Sequence, residues 1–375
     1  MRKLVILLVL YLGLVFGENS ISTNVDAGKK EKNCGFPAIY NFGDSNSDTG
    51  GKSAAFHEVQ PPNGQTFFGR PFGRVCDGRL IIDLIADRLE LQYLSAYLDS
   101  INAEFRNGAN FATAGSSILP GGYSPFYLGL QISQFLQFKK RTILLSDLRI
   151  NIPKPEDFSK ALYTFDIAQN DLSYGFQHTH EAQVRASIPQ ILNNFTQAIH
   201  QLYVEGALNF WIHNTGPIGC LPISVIDYPL KPQGLDAIGC IENQNKVARE
   251  FNKQLKDRIS HLRAELPHAT FTYVDIYSAK YQLISTAKKQ GFGDPLKFCC
   301  GWYYKDYEVA CGQTSIVNGT EYGKACRDPR KYISWDGIHY TDAANVWLAK
   351  SILNGSFSDP PVPIEKSCSH SSTRL

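Results

Sequence analysis

The sequence predicts an α/β protein built on one parallel sheet of about five strands, covered by helices. Three observations carry this. Short apolar runs recur at residues 38–42, 109–113, 161–167, 207–214 and 270–276, the length and continuity of strands buried on both faces. Between them lie segments whose apolar residues repeat at intervals of three and four, the period of a helix with one buried stripe. Strands alternating with helices imply parallel pairing through right-handed crossovers.

Taken in order, the chain opens with Met1-Arg2-Lys3, thirteen apolar residues at 4–16 and the small Gly17, which reads as a secretory signal peptide over 1–17. The apolar run is short for a membrane span, which needs about 20 residues. Residues 18–35 read as an N-terminal extension, 36–355 as one domain and 356–375 as a C-terminal tail. The first strand breaks into the polar turn Gly43-Asp44-Ser45-Asn46, which can present a hydroxyl at a strand's carboxyl end. In parallel sheets ligands gather at that edge. A helix is expected over 79–89. The second strand ends in Ala114-Gly115-Ser116, and the third in Ala168-Gln169-Asn170-Asp171. Ile188, Ile191, Leu192, Phe195, Ile199 and Leu202 form one helical stripe; Val247, Phe251, Leu255, Ile259, Leu262 and Leu266 form another. A last helix over 343–353 follows the start signal Thr341-Asp342. Three stretches rich in Gly, Pro, Phe and Tyr (58–77, 119–129 and 280–330) read as insertions that shape one edge of the sheet.

With 43% hydrophobic and 19% charged residues among 375, the chain can bury a full core and is not a disordered polyelectrolyte. Losing Arg2 and Lys3 with the leader takes the formal charge from +2 to 0, so no general attraction to nucleic acid or anionic membrane is expected. Acceptor sequences for N-glycosylation begin at Asn194, Asn318 and Asn354. The nine cysteines are dispersed, with residues 299–326 the densest group, and in an oxidising compartment several should pair while the odd count leaves one over. Cys299 and Cys300 are adjacent, which suits disulfides better than a tetrahedral metal, and His178-Thr179-His180 lacks a carboxylate partner. Neither a metal nor a cofactor is expected.

Acyl transfer needs a nucleophile, a base, a group that orients the base, and donors for the developing oxyanion. Ser45 is the candidate nucleophile, His339 the base, and Asp336 the orienting acid, its three-residue offset placing both side chains together in a turn. The backbone N–H groups of Ser45 and Gly115 and the side-chain amide of Asn170 are candidate oxyanion donors at strand ends.

The blocks Phe42-Gly43-Asp44-Ser45-Asn46-Ser47-Asp48-Thr49-Gly50, Gly108-Ala109-Asn110-Phe111-Ala112, Ile167-Ala168-Gln169-Asn170-Asp171 and Asp336-Gly337-Ile338-His339-Tyr340-Thr341 occur in one order along the chain. In that order they resemble the GDSL (SGNH) esterase/lipase family, and Asn214-Thr215-Gly216-Pro217-Ile218-Gly219-Cys220-Leu221-Pro222 resembles a signature of its secreted plant branch. The resemblance implies a three-layer α/β/α, flavodoxin-like fold and hydrolysis of acetyl or short acyl esters, on small molecules or glycosides, through an acyl-enzyme on Ser45. It implies Asp336 and His339 as the rest of the triad and Ser45, Gly115 and Asn170 as the oxyanion hole, with Gly108 as an alternative to Gly115. Two departures stand out. Asn46 replaces the family's usual Leu, and Ala168 stands where Gly is usual, a cost of about 1 kcal/mol or more if that residue takes a positive φ. An acyltransferase using the same acyl-enzyme with an alcohol acceptor remains open. So does a secreted, non-catalytic glycoprotein that binds a ligand or partner without turnover, in which Ala168 disables the oxyanion site. Oligomeric state and the compartment beyond secretion (wall, vacuole or extracellular fluid) are not encoded in these motifs.

Overall fold

Each apolar run of the sequence becomes a strand: β1 (Ile39–Gly43), β2 (Gly108–Asn110), β3 (Leu162–Asp166), β4 (Asn209–His213) and β5 (Thr270–Val274). The structure is a computed structural model that describes residues 33–101, 103–227, 234–304, 307–317 and 319–368; the leader at 1–17 and the acceptor Asn318 lie outside them. The helices are α1 (Gly51–Ala55), α2 (Ile81–Arg88), α3 (Leu128–Leu145), α4 (Asp157–Lys160), α5 (Gln169–His178), α6 (Glu181–Val204), α7 (Pro222–Asp227), α8 (Glu242–Glu265), α9 (Ile276–Ser285) and α10 (Asp342–Ile352). Two small hairpins, β6–β7 (Trp302–Tyr304 with Tyr307–Val309) and β8–β9 (Ser315–Val317 with Thr320–Tyr322), stand apart from the main sheet.

The five strands pair in parallel in the order β2-β1-β3-β4-β5. That is the doubly wound order whose direction reverses between β1 and β3, opening a crevice at their carboxyl ends. A sixth strand makes the sheet mixed. β10 (Ser358–Asp359) runs antiparallel along β5, Ser358 opposite Val274. Residues past 355 thus cover the open edge of β5, and Cys368 is joined to Cys34 by a disulfide.

Side chains alternate across the sheet as period two demands. Tyr40, Phe42, Tyr163, Phe165, Phe210, Ile212 and Phe271 enter one core with α3, α6 and α8; Ile39, Leu162, Trp211 and Val274 enter the other with α2, α9 and α10. The three layers follow, as expected. The stripes read around 188–202 and 247–266 lie in α6 and α8, Leu266 at the C-cap of the latter, and their residues are buried. Thr341 caps α10 by accepting from the Ala344 N–H at 3.2 Å.

Two helices occupy segments read as insertions. α3 starts at the end of the 119–129 stretch, and α9 begins ahead of residue 280 and takes in Lys280. In α9 the apolar positions Ile276, Ala279 and Leu283 are interleaved with tyrosines and Lys280, which masks the stripe. Asp275 fixes its start, accepting from the Ser278 N–H at 3.1 Å.

Candidate active site

The nucleophile turn is built on buried asparagines at the end of β1. Asn41 donates from Nδ2 to Asn110 Oδ1 at 2.7 Å and accepts from Thr164 Oγ1 at 2.7 Å, tying β1 to both neighbours. Asn110 in turn donates to the Ser47 carbonyl at 2.6 Å and to Thr49 Oγ1 at 2.9 Å. The Asp48 carboxylate gathers the N–H groups of Gly50, Gly51, Lys52 and Ala114, joining the turn to the strand end after β2. Gln131 of α3 reads both backbone groups of Gly43: the N–H donates to its Oε1 at 3.0 Å, and its Nε2 donates to the carbonyl at 2.8 Å. Gly43 is obligatory, since a Cβ there would lie 2.6 Å from the Asp166 carbonyl oxygen. Ser45 emerges from this frame 9% exposed, and no described residue forms a hydrogen bond with its hydroxyl.

Two of the candidate oxyanion donors, Gly115 and Asn170, lie on segments bonded to each other. Gly115 has φ +81°, and the next residue accepts from Asn170: Nδ2 donates to the Ser116 carbonyl at 2.9 Å, leaving the second amide hydrogen for another acceptor. Asp171 accepts from the N–H groups of Ile118 and Leu119 at 2.8 and 3.0 Å, docking that loop on the start of α5. Burial pushes the Asp171 carboxyl up to about 7, those two donors notwithstanding. Ala168, just before α5, takes φ +103° and ψ −15°, the left-handed conformation that made an alanine there a departure. α5 nonetheless begins with Asn170 in place. Gly108 is excluded from this corner because it pairs with Ile39, at the opposite end of the sheet from Ser45.

Asp336 and His339 come together as their spacing predicts. Asp336 Oδ1 accepts from the backbone N–H groups of Ile338 and His339 at 3.0 and 2.8 Å, while Oδ2 meets His339 Nδ1 at 2.6 Å. Burial alone would raise this carboxyl; the charge and hydrogen bond of His339, with the two backbone donors, outweigh it and hold Asp336 below the usual carboxylate range. With Nδ1 engaged, His339 Nε2 has no partner among the described residues, and the side chain is 12% exposed. The loop is clasped from behind. The buried Trp335 donates from Nε1 to Asn63 Oδ1 at 3.0 Å, and its carbonyl accepts from the N–H groups of Cys299 and Cys300. Those two cysteines form disulfides with Cys326 and Cys311, so the densest cysteine group staples the loop that carries His339. Cys220–Cys240 and Cys34–Cys368 complete four bridges, and Cys76 is the free, buried thiol.

The family model for GDSL-like lipase/acylhydrolase matches residues 39–352. This chain belongs to that family. It is a carboxylic ester hydrolase of the GDSL esterase/lipase type, with small-molecule esters as substrates. It is 50% identical to a GDSL esterase/lipase of Arabidopsis thaliana over 93% of both chains. It is also 50% identical to GDSL esterase/lipase ACHE of Zea mays over 89% of both. At 45% identity, over 90% of this chain and 95% of the other, it matches a protein named Alpha-L-fucosidase 3 in Arabidopsis thaliana. Among the described residues no helix is long and apolar enough to cross a membrane.

Several groups of the site were not singled out from the sequence. Asn41 was visible as a lone polar residue in an apolar strand. Gln131 gave no signal, because its role comes from a contact far along the chain. His213 on β4 was also missed. Its Nδ1 lies 3.2 Å from Asp166 Oδ2, and its Nε2 accepts from the Trp211 indole N–H at 3.1 Å. His178, by contrast, is exposed and stacked on Tyr174, its Nδ1 bonded to the Tyr174 carbonyl.

Proposed function

We propose that this family member is a secreted serine esterase that cleaves acetyl or short acyl O-esters through an acyl-enzyme on Ser45. The observation that carries the reading is His339: Asp336 fixes its Nδ1 at 2.6 Å, which places the basic lone pair on an unoccupied Nε2. In the first half-reaction Ser45 Oγ bonds to the acyl carbon while its proton passes to His339 Nε2. The carbonyl oxygen, now anionic, is received by the N–H groups of Ser45 and Gly115 and the free amide hydrogen of Asn170. Collapse breaks the ester C–O bond, and His339 returns the proton to the departing alcohol. Water then repeats the sequence, releasing the acid and restoring the serine.

A short acyl group is favoured because Ser45 is nine-tenths buried and a Cβ at Gly115 would already meet Tyr123 Cβ at 3.3 Å. Secretion is supported by the leader read over 1–17, by four disulfides, and by the exposed acceptor Asn354; Asn194 is half-buried within α6. The name of the fucosidase relative raises cleavage of glycosidic bonds. That chemistry ordinarily places two carboxyl groups across the scissile bond, whereas here the Asp336 carboxylate is engaged by His339 Nδ1 and by two backbone N–H groups, leaving a hydroxyl, an imidazole nitrogen and N–H donors for a substrate.

The test pairs the mature chain with its Ser45→Ala form on p-nitrophenyl esters of increasing chain length and on p-nitrophenyl fucoside, alongside labelling by a serine-directed fluorophosphonate. Hydrolysis should favour acetate and butyrate, vanish on substitution, and accompany labelling of the parent alone. Equal rates in both forms, or fucoside cleaved faster than acetate, would remove the assignment.

A further inference from the structure

Beyond the donor Asn170, α5 presents a face that the reaction described above does not use. One side of the helix is spent on the core: Leu172 is fully buried, Phe176 packs against the core, and a Cβ on Gly175 would lie 3.0 Å from Val184 Cγ2 of α6. The other side follows from the helical period. Asn170, Ser173, Tyr174, Gln177 and His178 stand at intervals of three and four and share one face. At its amino end that face holds the candidate oxyanion donor. Further along it holds rings and polar groups, with Gln177 and His178 exposed.

Tyr123 joins this face to the nucleophile turn. It rides on a loop closed at its neck by the Leu128 N–H, which donates to the Ser117 carbonyl at 2.9 Å. Its Cβ lies 3.3 Å from where a Cβ on Gly115 would stand. Gly115 follows Ala114, whose N–H donates to the Asp48 carboxylate of the turn at 2.8 Å. The Tyr123 ring meets Tyr174 edge-on at 5.1 Å between centroids, and Tyr174 stacks on His178 at 3.9 Å. The Tyr123 hydroxyl donates to Gln177 Oε1 at 2.6 Å and lies 3.3 Å from Ser173 Oγ. Tyr123 nonetheless stays 44% exposed, and Gln177 Nε2 and His178 Nε2 have no partner among the described residues.

We propose that Tyr123, Tyr174 and His178 form the subsite for the alcohol part of the ester, and that this alcohol is a sugar ring carrying the O-acyl group. This rests on the serine esterase reading. An α-helix rises about 1.5 Å per residue, so Tyr174 and His178 stand about 6 and about 12 Å along the axis from Asn170. An acetyl group ends one bond past the acyl carbon and does not span the first of those steps. The alcohol is the part of the substrate long enough to lie along the face. Its class follows from what lines the face. Aromatic rings receive the C–H face of a sugar, while the Ser173 hydroxyl, the Gln177 amide and the His178 nitrogen around them bond its hydroxyls. An alkyl alcohol would lay hydrocarbon over those polar groups and leave them unpaired.

The experiment compares acetate release from a monoacetylated methyl glucoside, ethyl acetate and octyl acetate, which all form the same acetyl-enzyme. The parent is set beside Tyr174→Leu, Gln177→Ala and His178→Ala, with circular dichroism confirming each fold. The parent should take the sugar ester with a kcat/KM about tenfold above both others. Each variant should lower the ratio of sugar ester to ethyl acetate by about threefold to tenfold, chiefly through KM. Gln177 and His178 are exposed, so they carry the test should Tyr174→Leu fail to fold. Ratios unchanged in every folded variant, or octyl acetate taken faster than the sugar ester, would overturn the subsite. A parent active on ethyl acetate without preference for the sugar ester brings down the subsite alone. A parent that releases acetate from none of the three and takes up no fluorophosphonate brings down the serine esterase reading, and the subsite with it.

Discussion

Two Asp–His pairs lie among the described residues, and on the serine esterase reading only one is built to move a proton. Asp336 and His339 are three residues apart on a largely buried loop; Asp166 and His213 are 47 apart on adjacent strands inside the core. In both, a carboxylate sits on Nδ1 and is held below its usual range after burial is outweighed. The second nitrogen separates them. In His213 it accepts from the indole of the fully buried Trp211; in His339 it has no partner among the described residues, and the side chain is 12% exposed. A His–Asp contact is therefore not itself a catalytic signature. The unoccupied Nε2 is what distinguishes a base from a satisfied core residue.

Removing each ring in turn separates the two pairs. His339→Gln, like Ser45→Ala, should lower kcat about 1,000-fold or more. His213→Gln should lower it less than about tenfold while costing about 1–3 kcal/mol of stability, because it strands the Trp211 N–H and the Asp166 carboxylate. Steady-state kinetics beside urea unfolding separates the two, and equal kinetic losses would erase the distinction. Next in size, Asn170→Ala should cost about 100- to 1,000-fold in kcat with KM little changed, as the loss of an oxyanion donor does. A change confined to KM would reassign Asn170 to substrate binding.

The pairs also predict a stability profile. Asp336 and Asp166 are lowered, so their contribution is present above the ordinary carboxyl value of 3.8 and is lost as pH falls through their folded values. Asp44 and Asp171, raised to about 7, act oppositely: their contribution is full below 3.8 and is lost as pH rises through about 7. The melting temperature should peak between these limits and fall by a few degrees toward pH 8. Asp171→Asn should flatten the alkaline side, and an unchanged slope would count against its burial cost. The smallest effect is expected at Ala168. Replacement by Gly should relieve the left-handed φ of +103° and stabilise by about 1 kcal/mol. Calorimetry checks this, and unchanged stability would show that the residue is not strained.

Five parallel strands, the helices that bury apolar stripes and the local chemistry are all legible in the order of the residues. Strand and helix periods are written in adjacent residues, and Asp336 with His339 need only one turn to meet. Ser45, Gly115 and Asn170 were legible because each follows a strand, and parallel strands deliver their ends to one edge. Tertiary structure decided what depends on distant partners. It paired Asp166 with His213, set Gln131 against Gly43, and folded α9 so that the buried Lys280 lies beside Gly216 and over the Tyr340 ring. It also brought residues 358–359 back as an antiparallel edge. Local pattern cannot encode these contacts, because the groups meet only after separate layers have packed and each polar group has had to find a partner away from water.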